Sequence, residues 1–250
     1  MLHKPVLLNE VIELLNPQNG EFFIDGTFGG GGHAMKILEK IGLSGRLLGL
    51  DWNDEAVKNC ESQIVNYANL LCVKGNFANL PEILEKNNLP RANGLLLDLG
   101  ISSDELENSG RGFSFKRDEP LLMTYNDTEI PVKDLLKQLN EDQLVNVIKE
   151  CGGENWAIKI AQAIKESLRK RPIETSKQLS DLIVQTVPKN YERGRIHPAT
   201  RTFMALRIYA NHELENLERI LKNLDQILLP QGRVAIISFH SLEDRLVKNY

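Results

Sequence analysis

The sequence predicts an α/β fold with a mostly parallel sheet, Rossmann-like in its layout, and three observations carry that expectation. Short apolar runs alternate with helical stretches from Glu21 to Gly100. Each run ends in a cluster of small and polar residues, and a fifth run of the same kind appears only near the C-terminus. Continuous apolar runs separated by helices mark strands buried on both faces, which is the habit of a parallel sheet.

The elements follow in order. Met1 to Leu15 places Asn9, Glu10 and Glu13 among apolar residues and lacks a small-residue cleavage site, so it reads as an amphipathic helix rather than a signal peptide. The strand runs are Phe22–Ile24, Leu47–Leu50, Leu70–Val73, Leu95–Leu97 and Val234–Ile237. Helical stretches at about 33–42, 54–66 and 80–88 lie between the first four. After a Gly- and Ser-containing loop at 101–126, helical segments follow at about 131–139, 141–151, 154–170 and 176–187 with no strand beside them. Residues 127–196 therefore read as an all-helical insertion between strands four and five, a substrate-recognition domain, and 1–126 with 197–250 as the sheet domain. Residues 199–228 return toward the sheet, and Leu214, Leu217, Ile220, Leu221, Leu224, Ile227 and Leu228 form one apolar stripe.

Bulk properties narrow the classes. Two hundred and fifty residues hold a full α/β core with room for one insertion. The net charge of −4 announces no nucleic-acid partner globally, so any basic surface must be local. Cys60, Cys72 and Cys151 are odd in number and widely spaced, which predicts neither a zinc site nor a disulfide framework and makes a reducing, cytoplasmic setting the default. No run approaches the roughly 18 apolar residues that span a bilayer.

Polar clusters at the strand ends carry the chemistry. They are Asp25–Phe28 with Gly29–Gly32 and His33, then Asp51, then Gly75-Asn76-Phe77, then Asp98–Ser103, then Ser238-Phe239-His240-Ser241. In an open parallel sheet all strand C-termini share one edge, and ligands bind in the crevice outside it. Gly29, Gly31 and Ala34 fit G-x-G-x-x-A, with Asp51 about 20 residues on where an acid grips a ribose. A nicotinamide cofactor fits that pattern too, and an oxidoreductase stays open on the glycines alone. Charge favours another ligand: Asp25, Asp51 and Asp98 repel a pyrophosphate but suit the sulfonium and ammonium of S-adenosylmethionine. Asn76 and Phe77 suit its adenine. Other roles stand beside these: Asp51 or Asn53 as a helix cap, Phe77 as core, and His240 or Ser241 as capping groups.

The stretches HKPVLLNEV (3–11), DGTFGGGGH (25–33), LLLDLGISS (95–103), RGFSFKRDEPLLM (111–123), HPATRTFMALRI (197–208) and GRVAIISFHSLEDRLVK (232–248) resemble the bacterial 16S rRNA cytosine-N4 methyltransferase family, the MraW or RsmH type. The resemblance implies a class I methyltransferase fold with a helical insertion, and methylation of a decoding-region cytosine in the small subunit. It carries cofactor contacts over to Gly31, Gly32, His33, Asp51, Phe77 and Asp98, with one more at Glu105, where the family often has Gln or His. Family members continue for several tens of residues past the last stretch and usually close the sheet with a sixth and a seventh strand. The five strands counted here lead to the expectation of a shortened C-terminus and an open fifth strand. A non-catalytic RNA- or ribosome-binding protein of the same fold stays open beside the enzyme.

A cytosine amino nitrogen is a poor nucleophile, because its lone pair is delocalised into the ring. Many amino-methyltransferases hold it with an Asn/Asp-Pro-Pro-aromatic motif after strand four, and this chain has no Pro-Pro. Asp98 and Ser102 occupy that position and are the expected catalytic groups. For RNA, Arg111 and Phe113 open a run of basic and aromatic residues through Arg117, as a stacking platform would, and packing of Phe113 and Phe115 between the insertion and the core fits the same run equally well. Nine Lys or Arg against three acids between Arg169 and Arg207 suggest a phosphate-facing surface centred on Lys189, Arg193 and Arg195.

Overall fold

A computed structural model describes residues 5–102, 106 and 108–250. Among the described residues, five strands form one sheet: β1 (Phe22–Asp25), β2 (Arg46–Asp51), β3 (Leu70–Lys74), β4 (Ala92–Asp98) and β5 (Leu228–Ile237). Their order is β3-β2-β1-β4-β5 and every pair is parallel. This is the class I, Rossmann-like arrangement, with the strand order reversing direction between β1 and β4. Each anticipated run falls inside a strand. The fifth extends six residues earlier than expected, across a register shift opposite Ala92 and Gly94.

Alternation along the buried strands divides the core in two. Phe22, Ile24, Leu48, Leu50, Leu95 and Leu97 pack with Leu80 and Leu84 of α4 (Leu80–Lys86) and with Leu217, Ile220 and Leu221 of α10 (Glu213–Lys222). Phe23, Leu47 and Leu96 pack on the other face with Val11 and Leu15 of α1 (Leu8–Leu15) and Ile37, Leu38 and Ile41 of α2 (Gly32–Ile41). Each fully buried side chain of this kind contributes about 1.5–3 kcal/mol of transfer free energy. Of the stretch expected to be an amphipathic helix, Leu8–Leu15 form α1, whose buried Val11 and Leu15 cover the sheet, and Leu7 at φ +51° stands outside the helix.

The cysteine expectation is corrected. Cys60 of α3 (Asp54–Gln63) and Cys72 of β3 form a disulfide, with Cα atoms 5.9 Å apart. Twelve residues of separation look unrelated in sequence, but α3 folds back along β3 and brings the two thiols together. Cys151 takes no part in a disulfide.

The chain divides into two units, one of residues 1–100 with 214–250 and one of residues 101–213. The second is helical: α5 (Val132–Gln138), α6 (Glu141–Gly152), α7 (Ala157–Lys170), α8 (Ser176–Thr186) and α9 (Thr200–Ala210). Its limits differ from the expected 127–196 at both ends, for reasons visible in hydrogen bonds. The segment at 109–126 is stitched to the entry of α8: Leu121 N donates to Glu174 O at 2.8 Å, and Ser176 N to Glu119 O at 2.9 Å. Asn211 Oδ1 accepts from Tyr125 N at 2.9 Å, and its amide donates to Met123 O at 2.8 Å. Helix α9 packs tightly on α6, where a Cβ on Gly152 would lie 2.6 Å from Arg201 O. Only from Leu214 onward does the apolar stripe return to the sheet. The four residues Leu224–Ile227 preceding β5 form a short α11, and α12 (Ser241–Asn249) follows the strand.

Candidate functional site

The site begins where β1 ends. Gly26 N donates to Leu96 O at 2.9 Å, holding the chain against β4 so closely that a Cβ there would meet Leu97 Cδ2 at 2.6 Å. Asp25 is 1% exposed, and its Oδ1 accepts from Thr27 N at 3.1 Å. Burial pushes its carboxyl up to about 7, assisted by the Asp98 and Asp51 carboxylates and opposed by the Thr27 N–H. Thr27 Oγ1 in turn accepts from Asp98 N at 2.7 Å, tying the end of β1 to the end of β4.

The glycine loop then turns over Phe28. Gly31 adopts φ +76°, and a Cβ on it would touch the Phe28 ring at 2.8 Å. This residue is the N-cap of α2, whose first turn has no side-chain cap, so the loop presents helix N–H groups at the sheet edge. Asp51 Oδ2 accepts from Gly29 N at 2.9 Å and Oδ1 from Asn53 N at 2.9 Å. Asp51 therefore shapes the loop as well as standing at the end of β2. The capping role falls to Asn53, whose side chain accepts from Glu55 N. Asn76 caps the short 3-10 turn Phe77–Asn79, and Phe77 is half-buried against the core below.

His33 is buried in the first turn of α2. Its Nε2 lies 2.9 Å from Val6 O, which only accepts, so Nε2 carries a proton. Nδ1 sits 3.7 Å from Asp98 Oδ2. The N-terminal segment thus closes on the loop, with Pro5 packed so near Gly32 that a Cβ there would lie 2.2 Å from its ring. Asp25, His33, Asp51, Asp98 and the glycine loop are brought together at one edge of the sheet. The fifth strand end serves a structural purpose: His240 is the N-cap of α12, in a capping box with buried Glu243. Burial alone would raise the Glu243 carboxyl, but hydrogen bonds from His240 and from the Phe239 N–H outweigh it and hold the group below its ordinary range.

The remaining expected residues lie in the helical unit or outside the described residues. Ser102 is half-buried and its carbonyl accepts from Leu106 N at 2.9 Å. Glu105 lies outside the described residues. The expectation that Arg111 and Phe113 form an RNA platform is corrected. Arg111 commits its guanidinium to Thr124 O and Oγ1, Asn126 O and Asp127 Oδ1, at 2.6–3.0 Å. Phe113 is 5% exposed and stacks on Tyr125 inside the unit. Lys189, Arg193 and Arg195 are exposed. A left-handed turn at Glu192, Arg193 and Gly194 presents them, above Tyr191, whose hydroxyl donates to buried Glu154. Glu192, the one acid between Val187 and Pro198, pairs with Arg201 at 2.6 Å. Asn190, Glu192, Arg193 and Arg195 line a cavity of about 480 Å³.

Three contributors escaped sequence reasoning. Thr27 signalled itself only as a small polar residue in a strand-end cluster. Asn59, which donates to Gly29 O at 3.0 Å, sits in a helix with nothing to mark it. The Val6 carbonyl is a backbone group and has no sequence signal at all.

The model of the MraW methylase family matches residues 1–250. Three proteins named ribosomal RNA small subunit methyltransferase H are similar along nearly the whole chain. That of Syntrophobacter fumaroxidans is 41% identical over 249 residues, 98% of this chain and 78% of its own. Those of Trichlorobacter lovleyi and Geobacter sulfurreducens are each 44% identical over 249 residues, covering 99% and 98% of this chain and 80% of theirs. The similarity runs through the strand-end loops and the helical unit alike, and the chain belongs to the MraW methylase family.

Proposed function

We propose that this protein transfers a methyl group from S-adenosylmethionine to N4 of a cytosine in the decoding region of small-subunit 16S rRNA. The observation that carries the cofactor is the cluster of Asp25, Asp51 and Asp98 at the sheet edge, in which the other two carboxylates help raise Asp25. Such a cluster fits a ligand with a sulfonium and an ammonium, and it repels the pyrophosphate of a dinucleotide. Gly31 and Gly32 allow close approach of the ligand to the loop backbone. Asp51 accepts from the ribose hydroxyls through its carboxylate, and Phe77 supports the adenine. By resemblance to the family, His33 also contacts the cofactor, as does Glu105, which lies outside the described residues.

S-adenosylmethionine supplies an electrophilic methyl carbon whose departure leaves a neutral thioether. The protein's part is to place the amino nitrogen in line with it and to exclude water. Asp98 and Ser102 accept hydrogen bonds from the cytosine amino group, which localises the nitrogen lone pair as that atom becomes tetrahedral, and the Asp98 carboxylate takes the proton that the methylated nitrogen then loses. The target base leaves its stack to reach the pocket. Lys189, Arg193 and Arg195 hold substrate phosphates, with Glu192 neutralised by Arg201. The substrate is the rRNA of the small ribosomal subunit, which implies a cytoplasmic protein. Among the described residues no helix is long and apolar enough to cross a membrane.

The test incubates the protein with methyl-labelled S-adenosylmethionine and small subunits lacking the modification, followed by nucleoside analysis of the rRNA. Label in N4-methylcytidine is the expected result. Label in another nucleoside, or none beside an active relative, would overturn the assignment.

A further inference from the structure

The aromatic run at 113–115 divides in two. Phe113 is interior, but Phe115 is half-buried and lies flat against His197, with ring centroids 4.4 Å apart and planes 11° from parallel. Phe203 of α9 meets the Phe115 ring edge-on at 5.5 Å and 86°, so the lower ring is anchored in the helical unit. His197 Nδ1 accepts from Ala199 N at 3.2 Å, which leaves the ring proton on Nε2 and fixes the ring about its bonds. Phe115 covers one face of the imidazole, and His197 is exposed. Partial burial lowers the His197 pKa, favouring the neutral ring.

Cations flank both halves of the stack in sequence. Lys116 and Arg117 follow Phe115 and are exposed; Arg193 and Arg195 precede His197 and are exposed. A flat, neutral, pre-oriented ring with exposed cations beside it along the chain suits capture of a single-stranded nucleic acid, cations for the backbone and a ring for the base. A ring already fixed loses little further freedom when a base lands on it.

We propose that His197, backed by Phe115, is a stacking platform for an unpaired base of the RNA substrate, adjacent to the base that is methylated or elsewhere in the same single-stranded segment. The proposal rests on the RNA reading above and names the group that contacts a base rather than a phosphate.

The test measures binding of a fluorescein-labelled oligocytidylate by anisotropy, and of the same oligomer carrying 2-aminopurine by emission, over a series of salt concentrations. His197→Ala is expected to weaken binding about 5- to 150-fold, from the usual range for one base–aromatic stack. It should also relieve the quenching of 2-aminopurine while leaving the salt slope unchanged. His197→Phe should restore both affinity and quenching. Arg193→Ala should instead flatten the slope by about 0.7. Wild-type binding with equal affinity and quenching in His197→Ala would overturn the platform, as would failure of His197→Phe to restore them. Failure of the wild-type protein to bind either the oligomer or the small subunit would overturn the RNA reading itself. Melting curves of His197→Phe and wild type check that the comparison is between equally folded proteins.

Discussion

Replacing Asp25 by Asn should stabilise the ligand-free protein at neutral and alkaline pH and weaken its hold on S-adenosylmethionine. The folded-state carboxyl is raised from 3.8 to about 7, with burial the main cause. At ~1.4 kcal/mol per pH unit, keeping this group ionised in the native state costs about 4 kcal/mol relative to the unfolded chain. The sign is opposite to that of a salt-bridged carboxylate. Between pH ~4 and ~7 the native state binds the extra proton, so stability falls as pH rises through that window and levels off above it. Below pH ~4 both states are protonated and the cost vanishes. The carboxamide introduced by Asp25→Asn keeps an oxygen for the Thr27 N–H and offers a donor toward the neighbouring carboxylates, without a charge to desolvate. Urea unfolding of both proteins at pH 5 and pH 8 checks this. The difference between them should grow by about 2.5–3 kcal/mol from pH 5 to pH 8, the rest of the full cost being already present at pH 5, because contributions such as that of Glu243 cancel in the comparison. A difference that stays constant with pH would refute the buried, proton-holding Asp25. Equal affinity of both proteins for S-adenosylmethionine would refute its part in holding a cation.

Gly31→Ala places a Cβ against Phe28 at a φ of +76° and should cost about 1–3 kcal/mol, or about 2–10 °C in Tm; an unchanged Tm would mean the loop relaxes freely. Reducing the Cys60–Cys72 bond opens a loop of sequence separation 12 and should lower stability by about 3 kcal/mol, read from urea unfolding with and without dithiothreitol. Glu192→Gln removes the one acid of the basic turn and frees Arg201, so RNA binding should tighten about 2- to 5-fold at low salt and return to the wild-type value near about 0.5 M. Tighter binding that persists at high salt would show that the effect is not electrostatic.

The sheet was legible because a parallel strand buried on both faces is a continuous apolar run, and each of the five runs ended in polar residues at one edge. The positions of Asp25, Asp51 and Asp98 were legible for the same reason: a carboxylate closing such a run stands at the edge where the parallel strands end. Phe113 misled because alternation of aromatic and basic residues describes a stacking platform and a packed loop equally well. Which ring is outside depends on Tyr125, twelve residues on. Arg111 misled likewise, since its partners Thr124, Asn126 and Asp127 become neighbours only when the loop closes. The domain limits shifted because α9 is apolar enough to read as a sheet-covering helix, and only tertiary packing assigns it to α6. Cys60 and Cys72 meet through a helix–strand contact that no cysteine spacing encodes.

The acids at the sheet edge also explain why this site is costly to maintain and useful once a cation arrives. Asp25 faces two other carboxylates from a position sealed from solvent, so ionising it is unfavourable in the ligand-free state. A cationic ligand beside the cluster supplies a counter-charge that offsets the repulsion among the carboxylates and favours the ionised form of Asp25. Binding must then release protons near pH 7, because the ligand favours the ionised form of a group that is half protonated there. A neutral thioether offers less of that counter-charge than a sulfonium. The ionised cluster should therefore favour the methyl donor over the demethylated product, and more strongly at pH 8 than at pH 6. Thr27 holds the Asp98 backbone at this edge by accepting from its N–H, and the Gly29 and Asn53 N–H groups hold the Asp51 carboxylate, so that both residues keep their places as Asp25 titrates.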